Sequence, residues 1–320
     1  MICAFIDAHR DRFGVVPICR ALSAHGCQIA PRTYWARRSR PPSARAVRDA
    51  EIVARIAQIR KPGADGRRRP EALYGSLKTW AWLRRQGADV ARCTVERLMR
   101  ANGWRGVTRA RVARTTVPDP GHPRAPDLVE RDFTATGPGQ LVVADFTYVP
   151  LDGGGFGYCA FCVDAYAGLI AGWECSLSKE TPFVERAVRQ AITRRQREGH
   201  PVSAGAVHHS DAGSQYTSAR FGETLLLNGL AASVGSVGDA YDNALAETTV
   251  GLYKTECTRQ GSPFRGHRPV RTLGDLEEIT SAWVAWYNQE RLMRRLGLRP
   301  PAEAEAAYWA GQHAPGSRVA

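Results

Sequence analysis

An α/β fold, with a mixed five-stranded sheet flanked by helices and preceded by an all-α region, is predicted by three observations. Apolar residues in the first hundred positions recur at helical spacing. From Leu141 onward they form strand-like runs and then alternate between helix and strand, the pattern of a mixed sheet with helices on its faces. Between the two regimes, Pro118, Pro120, Pro123 and Pro126 crowd into Val117–Pro126, where no regular element can continue.

Each element has its own signal. Ile2–Arg10 and Val16–His25 read as helices, the second through Ile18 and Leu22. Pro31–Arg45 is rich in Arg, Pro and Ser and reads as a break; Ile52, Ile56 and Ile59 then make Val47–Arg60 periodic again. Lys61–Pro70, with Gly63, Gly66 and the run Arg67, Arg68, Arg69, is a polar loop. Leu73–Arg85 and Cys93–Asn102 are helical and separated by Gln86–Ala91, which holds Gly87. A helix, a glycine-containing turn and a second helix carrying Arg97 and Arg100 suit a helix-turn-helix, although a hairpin packed for its core alone shares the pattern.

Beyond the prolines, Leu141–Val149, Tyr158–Asp164 and Leu169–Ser176 read as a strand meander with a glycine-rich turn at Asp152–Gly157. Pro182–Arg197 is a helix with Val184, Ala187, Val188, Ala191 and Ile192 on one face. Ala204–His209 is a short buried strand, Ala219–Asn228 a helix and Leu230–Val234 a further strand. Gly235–Asp242 is flexible by composition, Asn243–Cys257 is helical, and 273–290 and 301–310 supply two more helices. The expected organisation is a helical segment 1–60, a helix-turn-helix region 61–116, a linker 117–134, an α/β core with C-terminal helices over 135–310 and a flexible tail 311–320.

Charge narrows the function. Of 320 residues, 44 are Lys or Arg and 31 Asp or Glu, a net charge of +13. Residues 1–130 hold 26 basic against 11 acidic side chains, whereas 131–320 hold 18 against 20. The whole excess therefore sits in the first part, which points to an anionic polymer, most simply nucleic acid. No apolar run reaches the roughly 18–20 residues that a bilayer requires, and Met1–Ala30 lacks a signal-peptide layout, so a membrane protein is excluded. The eight cysteines are scattered and form no disulfide framework, which suits a reducing cytoplasm. Cys159 and Cys162 have zinc-like spacing, but no second pair completes four ligands, and a strand-like run explains them as small hydrophobes.

Three acids sit where chemistry can use them. Asp145 lies inside the first strand, where a carboxylate is costly unless it is paired or binds a metal. Asp211 directly follows a strand, and an open sheet places its ligands at strand ends. Glu247 lies in a helix whose cap region is Asp242 and Asn243, with Lys254 two turns further along the same face. Together the acids could hold two divalent cations about 3.5–4 Å apart, and hard oxygen ligands favour Mg²⁺ or Mn²⁺.

The surrounding words are more specific. Asp211 and Glu247 are separated by 35 residues, and Lys254 follows the Glu by seven. This spacing resembles the DD(35)E core of retroviral-type integrases and insertion-sequence transposases. Val143–Tyr148, His209–Ser218, Asp242–Glu247, Tyr287–Arg291 and Leu296–Pro301 resemble OrfB transposases of the IS-three family, as do the stretch from Phe5-Ile6-Asp7 to Tyr34, Tyr74-Gly75 and Val95–Arg100. The resemblance spans nearly the whole chain. It implies a ribonuclease-H-like catalytic core, with Asp145, Asp211 and Glu247 as a catalytic metal-binding triad for two Mg²⁺ or Mn²⁺ ions and Lys254 as a DNA contact. His209, Ser210, Tyr241 and Asn243 become close neighbours of the site. Arg67, Arg68, Arg69, Arg97 and Arg100 are the candidate DNA-binding residues of the basic part. The resemblance further implies terminal inverted repeats and target DNA as partners, an OrfA product or OrfA–OrfB fusion, a homo-oligomer on DNA, and action at the bacterial nucleoid. Val142, Ala167-Gly168 and Met293 depart from the family pattern, where Trp, an Arg-containing turn and His are usual. A regulator that has lost catalysis is the alternative, but it has no need of an intact triad.

Overall fold

The computed structural model describes residues 1–108, 126–129, 132–235 and 243–312. The chain forms two compact units, Met1–Ala54 and Arg55–Ala320. The first contains helices α1 (Ile2–Phe13), α2 (Val15–Ala24) and α3 (Pro31–Ser39). Ile6, Val15, Ile18, Cys19 and Tyr34 make its core. Helix α3 occupies much of the stretch expected to be a break. Proline opens it at the first helical turn, where its fixed φ is favourable and its missing N–H costs nothing. Tyr34 anchors it by burying its ring and donating its hydroxyl to Asp7 at 2.7 Å. Helix α4 (Ala44–Arg60) buries the periodic Ile52, Ile56 and Ile59.

The second unit starts within α4 and continues with a 3₁₀ turn (Pro70–Leu73) and the helix pair α5 (Ser76–Arg85) and α6 (Arg92–Ala101). Gly87, at φ +78°, turns the chain between them, a conformation that glycine adopts without strain. Leu83 and Val95 are fully buried at their contact. Tyr74 ties this pair to the end of a later helix, donating its hydroxyl to the Glu290 carbonyl and accepting from the Leu292 N–H.

The mixed five-stranded sheet expected from the sequence is present. It contains β1 (Leu141–Pro150), β2 (Phe156–Asp164), β3 (Ile170–Ser176), β4 (Val207–Ser210) and β5 (Ala231–Val234), in the order β3-β2-β1-β4-β5. The meander β1–β2–β3 is antiparallel, and β4 and β5 add in parallel. Helices α7 (Thr181–Arg197) and α8 (Ala219–Leu227) cover the face carrying Val142 and Ala144. Helices α9 (Ala244–Tyr253) and α10 (Leu273–Gln289) cover the face carrying Val143 and Val149, with Trp283 fully buried at the centre. Burial of such a ring stabilises the core by roughly 3 kcal/mol or more. A 3₁₀ turn (Arg294–Leu296) and helix α11 (Pro301–Gln312) follow.

Cys159 and Cys162 both lie in β2 and, three residues apart, face opposite sides of the sheet. They cannot share a metal. All eight cysteines are free. Of the expected linker, 126–129 and 132–134 are described, and the first piece runs beside β5: Leu128 donates its N–H to the Ser233 hydroxyl at 2.9 Å. The remainder of Val117–Pro126, the expected flexible stretch Gly235–Asp242 apart from Gly235, and the tail beyond Gln312 lie outside the described residues.

Candidate active site

Strand register builds the site. β1 and β4 run parallel, and their ladder ends at the pair Ala144 and Ser210. The next residues are Asp145 and Asp211, which therefore emerge side by side where the two strands part. Paired parallel strands lie about 4.8 Å apart, and just past the last pair the two carboxylates stay close enough for Asp211 to repel Asp145. Asp145 is half-buried, and burial, then repulsion from Asp211, holds its carboxyl well above the usual carboxylate range. Glu247 adds a smaller repulsion, and Lys254 a smaller opposing pull. Burial likewise raises Asp211, against the Gly213 N–H and the positive influence of His209.

The turn after β4 shapes the Asp211 carboxylate. Gly213 donates its N–H to Asp211 Oδ1 at 3.1 Å, an Asx-type turn. A Cβ on Gly213 would stand 3.0 Å from that same oxygen and 3.2 Å from Gln215 Oε1, so glycine lets the backbone approach the carboxylate. Tyr216 belongs to the family word around Asp211, but the sequence gives it no role. It is buried, with both aspartates close enough to push its phenol further above its ordinary pKa than burial alone. Its position three residues beyond the Asx turn is the one signal that could have found it.

Helix α9 closes the free edge of β1. Asn243 stands at its N-terminus, but its side chain does not cap the helix. Instead Nδ2 donates to the Ala144 carbonyl at 3.0 Å, fixing α9 beside the strand end. Asp242 and Tyr241, also expected here, lie outside the described residues. Glu247 is exposed on α9. After Tyr253 the helix widens into a π turn, Lys254–Thr258, which replaces the last turn of the single helix expected over Asn243–Cys257. Lys254 Nζ lies 4.9 Å from the centre of the Tyr148 ring. His209 is buried, with Nδ1 2.8 Å from the Ser233 hydroxyl and its ring edge-on to Phe133. Ser210, also buried, ends the β1–β4 ladder.

Among the described residues, no three His, Cys, Asp or Glu side chains are gathered closely enough to hold a metal ion. The structure thus brings Asp145 and Asp211 together and leaves Glu247 within electrostatic reach but outside a shared coordination shell. The donor chemistry nevertheless fits a hard divalent cation: oxygen ligands only, and two carboxylates whose repulsion a cation relieves.

The candidate DNA-binding residues fare differently. Arg97 and Arg100 are exposed on α6. Arg68 and Arg69 are exposed on the preceding loop, Arg69 lying 3.4 Å from Glu71. Arg67 is turned inward, with its guanidinium 3.5 Å from Glu278 on α10 and its stem against Gly266. It braces the loop.

Three sequence models match the chain: an integrase core domain over 135–240, a second integrase core domain model over 228–301, and an HTH-like domain over 46–112. The transposase for insertion sequence element IS629 of Shigella sonnei is 43% identical over 310 residues, covering 95% of this chain and 96% of that protein. The chain belongs to the insertion-sequence transposases. A Mycobacterium tuberculosis (strain H37Ra) protein named for element IS986/IS6110 is 45% identical over 287 residues, covering 90% of this transposase and 98% of its own length. Among solved structures, the HTLV-2 integrase catalytic core domain in complex with magnesium overlaps 54% of this transposase and 99% of that chain, at 16% identity and a TM-score of 0.41. Among the described residues, no helix of this transposase is long and apolar enough to cross a membrane.

The departures from the family pattern have local accommodations. Gly168, at φ +67°, leaves room that the Arg295 guanidinium fills, so an arginine reaches this turn from elsewhere in the chain. Met293 Sδ receives Arg291 Nη1 at 2.9 Å. Val142 is buried beside a small cavity shared with Cys162, Val188 and His208.

Proposed function

We propose that Asp145, Asp211 and Glu247 are the catalytic set with which this transposase cuts the ends of an insertion sequence and joins the 3′-hydroxyl to target DNA. The adjacency of Asp145 and Asp211 at the parting of β1 and β4 carries this reading. Two half-buried carboxylates held side by side resist full ionisation and are arranged to receive positive charge. Two bound Mg²⁺ or Mn²⁺ ions would supply a lowered pKa for the attacking water or 3′-hydroxyl and charge stabilisation for the leaving oxygen. Glu247, exposed on α9 and already acting electrostatically on Asp145, turns in toward the aspartate pair when the cations bind. The Asx turn at Gly213 fixes the orientation of Asp211, and Asn243 fixes α9 against β1. Lys254 receives a DNA phosphate beside the reacting bond.

The exposed Arg68, Arg69, Arg97 and Arg100 hold DNA through phosphates, with Arg67 supporting their loop. The segments 1–60, 61–116 and 135–310 act as an N-terminal helical part, a DNA-binding part and the catalytic core. The working assembly is a homo-oligomer on the terminal inverted repeats, joined to an OrfA product, at the bacterial nucleoid.

Asp211→Asn tests the assignment. Strand transfer in Mn²⁺ is expected to fall by about a thousandfold or more while binding to the element's ends persists. Glu247→Gln is expected to behave likewise. Full joining by Asp211→Asn overturns the assignment, and analysis for joined rather than merely cut ends separates transposition from generic nuclease action.

A further inference from the structure

Of the aromatic side chains in the sheet, Phe161 is buried and Phe146, Tyr158 and Trp173 are half-buried. Tyr148 and Phe156 retain 45% and 49% of their exposure. They project from the β1–β2 hairpin, where Tyr148 pairs directly with Tyr158 and sits diagonally to Phe156 on one face. Their rings are 5.3 Å apart at 83°, forming a corner. A flat ligand lying on one ring meets the edge of the other, the geometry aromatic systems favour.

Two further observations say what lies there. Lys254 stands over the Tyr148 ring at 4.9 Å and also pulls electrostatically on Asp145, so one ammonium spans the corner and the acidic site. The hairpin turn beside the corner contains Gly153, Gly154 and Gly155, at none of which would an added Cβ meet a neighbour within 4 Å. That turn leaves open space for another chain's backbone. Tyr148 is three residues from Asp145, about 10 Å along β1, and leaves the strand on its other face. It is therefore Lys254, acting on both, that links the corner to the acidic site past the end of the β1–β4 ladder.

We propose that Tyr148 and Phe156, with Lys254 beside them, form a stacking platform for one unpaired nucleobase at the DNA end being processed. The rings take the base face, which every nucleobase offers, and Lys254 neutralises the adjoining phosphate. Holding a base out of the duplex keeps the end frayed, so the scissile phosphate can enter the gap between the aspartates. The inference rests on Asp145 and Asp211 being the reacting centre.

Binding without turnover tests it. The full chain is titrated, with EDTA present, against a short duplex bearing a few unpaired nucleotides at one 3′ end, one of them 2-aminopurine, and against a blunt duplex of equal length. The wild type is expected to favour the frayed duplex about tenfold and to quench the 2-aminopurine fluorescence. Tyr148→Ala and Phe156→Ala are each expected to bring the ratio close to one and restore the fluorescence, whereas Tyr148→Trp retains both. An unchanged ratio and quench in the folded Tyr148→Ala/Phe156→Ala variant, checked by circular dichroism, overturns the proposal. So does a change in sedimentation without a change in ratio, which assigns the corner to contact between protein chains. Because no metal or chemistry enters this measurement, it stands or falls separately from the joining activity of Asp211→Asn.

Discussion

His208 carries a cost that the fold accepts for packing. It lies in β4 next to the site, one face 5.3 Å from the Phe221 ring, and lines a small cavity with Val142, Cys162 and Arg195. Among the described residues, neither ring nitrogen has a hydrogen-bond partner. Burial, reinforced by His209, pushes its pKa down to about 4. An unfolded histidine titrates near about 6.5, so between these values the unfolded chain binds more protons than the folded one. Stability is therefore full above about pH 6.5 and lost as pH falls toward about 4, by roughly 3 kcal/mol. Asp164 has the opposite sign: burial, against the pull of Arg195, raises it to about 6, so its ionisation weakens the fold as pH rises. The informative quantity is the difference between the wild type and His208→Gln in urea unfolding at pH 7 and pH 5. The wild type is expected to lose stability on acidification that the variant does not, and parallel losses would refute this account of His208.

Ion pairs and amide clamps join the elements that the hydrophobic pattern leaves unconnected. Asn288, on α10, gives Nδ2 to the Ile170 carbonyl and takes the Ile170 N–H, both at 2.9 Å, so a side chain completes the edge of β3. Arg195 of α7 bonds Asp164 and Glu305, all three buried, and so holds α11 against the end of β2. Arg291, just past α10, makes bidentate contacts with Glu256 in the π turn, also buried. Removing one partner of such a pair leaves a charge without water, and Arg291→Met is expected to cost about 3–5 kcal/mol. Adding Glu256→Leu to it should recover much of the loss, with thermal unfolding of the single and double variants as the measure. Such links mark where the sequence stops being legible. Strand and helix identities are readable because apolar, β-branched runs such as Leu141–Val149 and helical stripes such as Val184–Ile192 are local. The spacing of Asp211 and Glu247 is readable because a family word surrounds each acid. Helix α3 is obscured because its single buried anchor, Tyr34, makes no stripe. The π turn at Lys254 is hidden because the partners of its residues, Arg291 for Glu256 and the Ile279 carbonyl for the Cys257 thiol, lie far along the chain. The side-by-side aspartates depend on a parallel register between strands more than sixty residues apart, which no local pattern reports.

At the scale of the whole molecule, charge divides the work. The first 130 residues carry an excess of 15 positive charges, and the remainder a deficit of two. The near-neutral part carries Asp145, Asp211 and Glu247, and if these are the catalytic set proposed above, they repel DNA phosphate until cations offset them. Affinity must then come mainly from the basic part, through displacement of counterions, so it should fall steeply as salt rises from about 50 to 200 mM. Each side chain bound to a phosphate contributes about one unit to the slope of log K against log salt. Arg97→Ala and Arg100→Ala, removing exposed charges of α6, are each expected to lower that slope by about one, measured by fluorescence anisotropy. Arg67→Ala should leave it unchanged, because that guanidinium already faces Glu278 and Asp65. Uniform slopes across all three variants would move the phosphate contacts off α6. A lowered slope for Arg67 alone would mean that its pairing with Glu278 breaks when DNA binds, so that the loop before α5 and α10 separate on the nucleic acid.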